Sequence, residues 1–149
     1  MVLEPWREAS FPNLREAEYH VTSDETPEYN CIAWAAGDSS RWWWPSPFYY
    51  WPAEAPREAS LESFKAVFAL MGYEECLTAE PEPGFEKVAV YADRNGSPTH
   101  AARQLEQGSW SSKLGRSQDV EHSTLNCLEG PAYGAVSVIL RRPRTAGSA

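Results

Sequence analysis

Apolar positions between residues 60 and 71 recur with helical spacing. Leu61, Phe64, Val67, Phe68 and Met71 fall on one stripe of a 3.6-residue turn, with Ser60 as the cap and Gly72 as the stop. The period then changes. From Lys87 to Asp93, Val88, Val90 and Ala92 alternate with Ala89 and Tyr91, as the two faces of a strand do. Arg94–Pro98 contains Asn95-Gly96, a hairpin signal, so Thr99–Leu105 is the returning strand. Glu106–Ser109 is a second turn and Trp110–Leu114 a third strand, which makes an antiparallel meander. Ser123–Leu128 reads as a short helix, with Ser123 or His122 near its cap and Gly130 beyond it. Tyr133–Leu140 is a last strand carried by Val136, Val138 and Leu140. Ahead of all these, Asn30 caps a short helix over Cys31–Ala36 that Gly37 ends. Helices precede strands, so the fold class is α+β: N-terminal helices packed on an antiparallel β-sheet.

The remaining segments lack a period. Residues 1–28 are rich in proline and acid and read as an irregular wrap pinned by Trp6, Phe11 and Leu14. Leu77–Gly84 is a connector rich in proline and glutamate. Residues 41–52 hold Trp42, Trp43, Trp44, Phe48, Tyr49, Tyr50 and Trp51 among Pro45, Pro47 and Pro52. The prolines exclude a helix or a central strand, leaving a loop packed by its own rings. Those rings either lie over the core as a hydrophobic cluster or wall a binding site. The 149 residues suit one domain, with the wrap at 1–28, a core at 29–140 and a flexible basic tail at 141–149.

Net charge is −8, which argues against a nucleic-acid partner. The one basic cluster, Arg141-Arg142-Pro143-Arg144, reads as a solubilising tail. No stretch approaches the ~20 apolar residues of a membrane span. The first residues lack the apolar region of a signal peptide, so a cytoplasmic protein, or one delivered by a leaderless route, is expected. Three cysteines without a C-x-x-C pair suggest neither a disulfide framework nor a metal site. No nucleotide loop or dinucleotide fingerprint is present, and no cofactor is expected.

Two positions carry the candidate chemistry. Cys31, in Tyr29-Asn30-Cys31-Ile32-Ala33-Trp34, opens a helix, and His100, in Pro98-Thr99-His100-Ala101-Ala102, opens a strand. A reactive thiol needs positive surroundings and a base, and these two residues supply both if the fold joins them. The neighbours Ile32 and Trp34 fit a buried core cysteine equally. Ser112 on the next strand, or Asp119 from the following loop, is placed to orient the imidazole, whereas Lys113 cannot accept its hydrogen bond. The Cys31 backbone N–H is the candidate oxyanion donor. His122, in an acidic neighbourhood, is the rival base, and His20 reads as solvated. Cys76 follows Glu74-Glu75, whose charges disfavour a thiolate, and Cys127 reads as core.

The order of elements resembles the papain-like cysteine peptidase superfamily, in particular its NlpC-type, CHAP-type and lecithin:retinol acyltransferase-like branches. Asn30-Cys31 looks like the Asn-Cys that opens the nucleophile helix of the acyltransferase-like enzymes. Val88-Ala89-Val90-Tyr91 is similar to the strand beside the histidine in NlpC-type sequences, although Lys87 stands where their histidine usually does. The stretches Asn-Cys-Ile-Ala-Trp-Ala and Thr-His-Ala-Ala-Arg are also similar to a group of small uncharacterised bacterial proteins, a likeness that brings no activity with it. The superfamily resemblance implies a thiol hydrolase or acyltransferase acting on a peptide, amide or acyl substrate. Cys31 would attack, His100 would move the proton, and Ser112 or Asp119 would orient the ring. Asn30 and the rings of Trp42, Trp43, Trp44, Tyr49, Tyr50 and Trp51 are the candidate substrate contacts. The alternative is a non-catalytic protein-binding module, of inhibitor or immunity type, that uses the same aromatic loop.

Overall fold

The structure, a computed structural model, describes residues 2–144. Two short helices, α1 (Pro5–Glu8) and α2 (Pro12–Arg15), lead into strand β1 (Tyr19–Val21). Helices α3 (Cys31–Ala35) and α4 (Leu61–Leu70) follow, then β2 (Glu74–Cys76), β3 (Phe85–Ala92), β4 (Pro98–Gln104), β5 (Trp110–Lys113) and β6 (Asp119–His122). A 3-10 turn over Leu125–Leu128 precedes β7 (Ala135–Pro143). The seven strands form one antiparallel sheet in the order β1-β6-β5-β4-β3-β7-β2. The class is α+β, as the change of period predicts.

Each face of the sheet has its own core, because strand residues alternate between faces. On one face α3 and α4 bury Ile32, Ala33, Phe64, Val67 and Phe68 against Val88, Val90, Ala101 and Leu140. The apolar stripe of α4 is thereby used, and the Ser60 hydroxyl accepts from the Ser63 N–H as its cap. On the other face Leu3, Phe11, Leu14, Cys127 and Leu128 cover Ala89, Tyr91, Ala102, Trp110 and Val120. The N-terminal wrap is therefore one wall of a core. Phe11 and Leu14 anchor it as expected, but Trp6 is 61 % exposed and Leu3 takes its place.

Three strands lie outside the sequence expectations: β1, β2 and β6. The third matters most for the site. Asp119 and His122 sit on a strand that pairs Lys113 with Asp119, Ser112 with Val120 and Trp110 with His122. They belong neither to a loop nor to a helix cap. The basic cluster is likewise part of the fold. Arg141 and Arg142 lie in β7, and Arg142 Nε meets Glu86 Oε1 at 2.6 Å. The rest of the expected tail, residues 145–149, lies outside the described residues. No helix among the described residues is long and apolar enough to cross a membrane.

Lys87 is a buried cation on β3. Its Nζ donates to the carbonyls of Thr78 and Glu80, each at 2.7 Å, and pairs with Glu82 at 2.8 Å. One side chain thus ties the connector 77–84 to the sheet. In Lys87→Met we expect the sheet to persist and the connector to be cleaved faster by a nonspecific protease. An unchanged cleavage rate would mean that the tether contributes nothing.

Candidate functional site

Helix α3 is five residues long, too short to persist on its own, and Asn30 holds it in place. The Asn30 side chain is buried. Its Oδ1 accepts from the Ala33 N–H at 3.2 Å and from the Trp43 N–H at 3.0 Å, and its Nδ2 donates to the Trp43 carbonyl at 2.7 Å. One residue therefore caps the helix and clamps the aromatic loop beside it. Asn30, expected as a substrate contact, serves in the structure as a clamp.

That clamp places Cys31 at a cleft of about 350 Å³, lined with it by Asn30, Trp42, Trp44, Tyr49, Thr99 and Tyr133. The loop rings divide their work. Trp43 and Trp51 are buried in the core, and Tyr50 packs edge-on against Trp43 with the Arg41 guanidinium 3.5 Å from its ring centre. Only Trp42, Trp44 and Tyr49 of the expected contacts in this loop wall the cleft. Burial pushes the Cys31 thiol up to about 11, against the backbone N–H groups of Ala101, Ile32 and Cys31 and the charge of Lys113, which favour the thiolate.

His100 is fully buried on β4. Its ring stacks on Tyr133 with centroids 4.1 Å apart and meets Tyr91 edge-on at 5.2 Å. Burial, and then the nearby His122, hold the imidazole well below its ordinary range, so it is neutral. Its Nε2 lies 2.9 Å from Ser112 Oγ, which lies 2.8 Å from His122 Nε2, and His122 Nδ1 lies 2.9 Å from the Thr124 carbonyl. His100 Nδ1 has no hydrogen-bond partner.

Of the two candidates for orienting His100, Ser112 makes the contact and Asp119 does not. Strand alternation decides this. Asp119 pairs with Lys113, one residue on from Ser112, and shares the opposite face with it. There Asp119 Oδ2 accepts from the Tyr29 hydroxyl at 2.8 Å. Lys113 Nζ donates to the Thr26 carbonyl at 2.7 Å. Burial, and then the bond to Asp119, push the Tyr29 hydroxyl up to about 12.

The same alternation separates the proposed pair. Ala101 packs with Cys31 on the α3 side, whereas His100 turns toward Tyr91 on the other. No hydrogen bond joins Cys31 to His100, since the free Nδ1 meets neither the thiol nor anything else. Tyr133 links the two, stacked on His100 and lining the cleft beside Cys31. Neither Tyr133 nor the bonding role of His122 was legible in the sequence: the first reads as the start of a strand and the second as a cap.

Cys127 is also more than core. It is buried, 3.4 Å from Thr124 Oγ1 and 3.7 Å from Ser123 Oγ, and it contacts His122. Burial raises its thiol, but bonding to His122, Thr124 and Ser123 draws it down to about 6. Cys76 is half-buried, its Sγ 3.6 Å from the Thr78 carbonyl. His20 pairs with Glu121 across the β1–β6 ladder and is exposed. No cluster of three metal-ligating side chains forms among the described residues.

Residues 20–141 match a family described as a domain of unknown function, DUF7689, and the chain belongs to that family. No curated protein and no solved structure matches it.

Proposed function

We propose that this DUF7689 protein is a thiol hydrolase or acyltransferase of papain-like type, with Cys31 as nucleophile and His100 as proton acceptor. One observation carries the reading. A cysteine opens into an aromatic-walled cleft whose Tyr133 stacks on a buried, neutral histidine with one ring nitrogen held by Ser112 and the other free. The volume suits one side chain or a short acyl group. In the reaction, Sγ attacks the carbonyl carbon as its proton passes to His100 Nδ1. The imidazolium keeps its Nε2–H on Ser112 and returns the Nδ1 proton to the leaving group. The developing oxyanion is met by the backbone N–H of Cys31. Cys31 lies on the α3 side of the sheet and His100 on the other, so the transfer requires substrate binding to bring the thiol and Nδ1 within reach.

A second reading has its own support. The thiol is buried, its pKa lies high and no bond joins it to His100. These facts suit a protein-binding module in which Cys31 is structural and the aromatic cleft is the contact surface.

Alkylation of Cys31 by iodoacetamide separates the two, measured across pH 4–9 in the intact protein and in His100→Ala, with labelling assigned by peptide mass. A thiol that titrates near 11 on its own is almost wholly protonated at pH 7, so appreciable neutral labelling needs His100 as acceptor. The enzyme reading expects a labelling plateau near neutrality that falls at least about tenfold in His100→Ala. A rate that climbs only toward alkaline pH, alike in both proteins, sinks it in favour of the binding module.

A further inference from the structure

We infer that His122 is a positioning residue, fixing through Ser112 which nitrogen of His100 carries the proton. The inference rests on His100 as the base, and it follows from counting hydrogens along the chain of bonds. The Thr124 carbonyl can only accept, so His122 Nδ1, 2.9 Å away, must carry a hydrogen. No carboxylate bonds to His122 among the described residues, and in the neutral imidazole the single N–H is the one on Nδ1. Its Nε2 is then a bare acceptor. Ser112 Oγ, 2.8 Å from that nitrogen, has one hydrogen and gives it there. The hydroxyl has only lone pairs left for His100, so His100 Nε2, at 2.9 Å, donates to it. A neutral imidazole carries one N–H, which leaves Nδ1 of His100 bare. That is the atom without a partner in the structure.

The consequence is directional. A base must present a lone pair, and a backbone carbonyl at the far end of the chain dictates that His100 presents it at Nδ1. When His100 takes a proton there, its Nε2–H remains on Ser112 and nothing else in the relay moves. Without an acceptor at position 122, the only nitrogen left for the Ser112 hydrogen is His100 Nε2. The imidazole proton then shifts to Nδ1 and blocks the lone pair.

Long-range proton–nitrogen correlation spectra of the full-length, nitrogen-15-labelled protein read the tautomer directly. In the wild type we expect His100 protonated at Nε2 and bare at Nδ1. In His122→Phe we expect the proton on Nδ1. In Ser112→Ala the hydrogen-bonded Nε2–H signal is lost, whereas Ser112→Thr, which keeps a hydroxyl, retains it. A wild-type His100 protonated at Nδ1, or a tautomer unchanged in folded His122→Phe, overturns the inference. If His122→Phe does not fold, the two Ser112 variants decide, and an Nε2–H signal unaltered in Ser112→Ala overturns it. The expected tautomers combined with Cys31 labelling insensitive to His100 support the relay and overturn only the thiol-enzyme reading.

Discussion

Gly134→Ala is expected to destabilise the fold by roughly 3–5 kcal/mol, the largest single loss we anticipate from one methyl group. Gly134 has φ +74°, a backbone region that side chains rarely enter. A Cβ built there would lie 2.1 Å from the Ala92 carbonyl oxygen and 3.0 Å from the Asp93 Cα. Those atoms are backbone at the end of β3 and cannot rotate aside. The reason for the close approach lies in the loop. Gly130 and Gly134 exchange backbone hydrogen bonds of 2.9 and 2.8 Å, closing a loop whose tip carries Tyr133. The Tyr133 carbonyl is held in turn by Thr99 Oγ1 at 2.5 Å. Relieving the clash means moving this loop, and with it the ring that stacks on His100 and lines the cleft. Urea unfolding of Gly134→Ala beside Gly72→Ala isolates the contact. Gly72 has φ +94° and nothing within 4 Å of its added Cβ, so it should lose only the conformational part, about 1–2 kcal/mol. Equal losses at the two positions would show that the Ala92 carbonyl is not what excludes a side chain.

The sequence showed an element wherever the element's own residues carry a period. The stripe from Leu61 to Met71 and the alternation through Val88, Val90 and Ala92 are local patterns of burial, and both elements lie within a few residues of where they were expected. Strands β1, β2 and β6 carry no such pattern. Tyr19–Val21 and Glu74–Cys76 are three-residue edges, half-buried or exposed along their length. At that length alternation cannot be told from chance, and polar residues on an edge are what an unpaired strand tolerates. Asp119–His122 is harder to read because it is interior and yet polar. Its burial rests on Tyr29, ninety positions away, which donates to Asp119 Oδ2, and on Ser112 and the Thr124 carbonyl, which bond to the two ring nitrogens of His122. No window of sequence contains that set of partners.

The candidate site divides along the same line. Ser112 was legible because two short turns fix which strand lies beside His100, and the structure puts its hydroxyl on the imidazole. Asp119 failed because its role depended on a loop that is in fact a strand, and one step of register carried it to the other face. His100 and Cys31 were rightly placed at the starts of a strand and a helix. Whether their side chains converge depends on strand parity, which spacing along the chain does not encode when a bulge interrupts the β3–β4 ladder between Tyr91 and Ala92. Seven tryptophans in one chain signalled an aromatic surface. Which rings face the cleft is decided by the backbone of Trp43, and hence by Asn30.

Asn30→Ala should therefore destabilise the protein by roughly 2–4 kcal/mol and open the cleft as well. The substitution removes the acceptor of the Ala33 N–H and both side-chain bonds to Trp43, all in a site only 2 % exposed. A buried backbone group left without a partner costs about 1–3 kcal/mol, so the Trp43 bonds should outweigh the cap itself. Ser60→Ala provides the comparison. Its hydroxyl serves as a cap alone, accepting from the Ser63 N–H at 3.2 Å, and its loss should cost about 1 kcal/mol. Denaturant unfolding of the two variants reads the difference, and an equal cost would mean that the clamp on the aromatic loop contributes nothing. The same variant also bears on the function. With Trp43 released, Trp42, Trp44 and Tyr49 lose the backbone anchor that holds them beside Cys31. The thiol should then become more open to a bulky alkylating reagent while its pKa falls from about 11 toward the ordinary range, because burial is the main cause of its elevation. More access with an unchanged titration would place the barrier to reaction in the wall of rings rather than in desolvation of the sulfur.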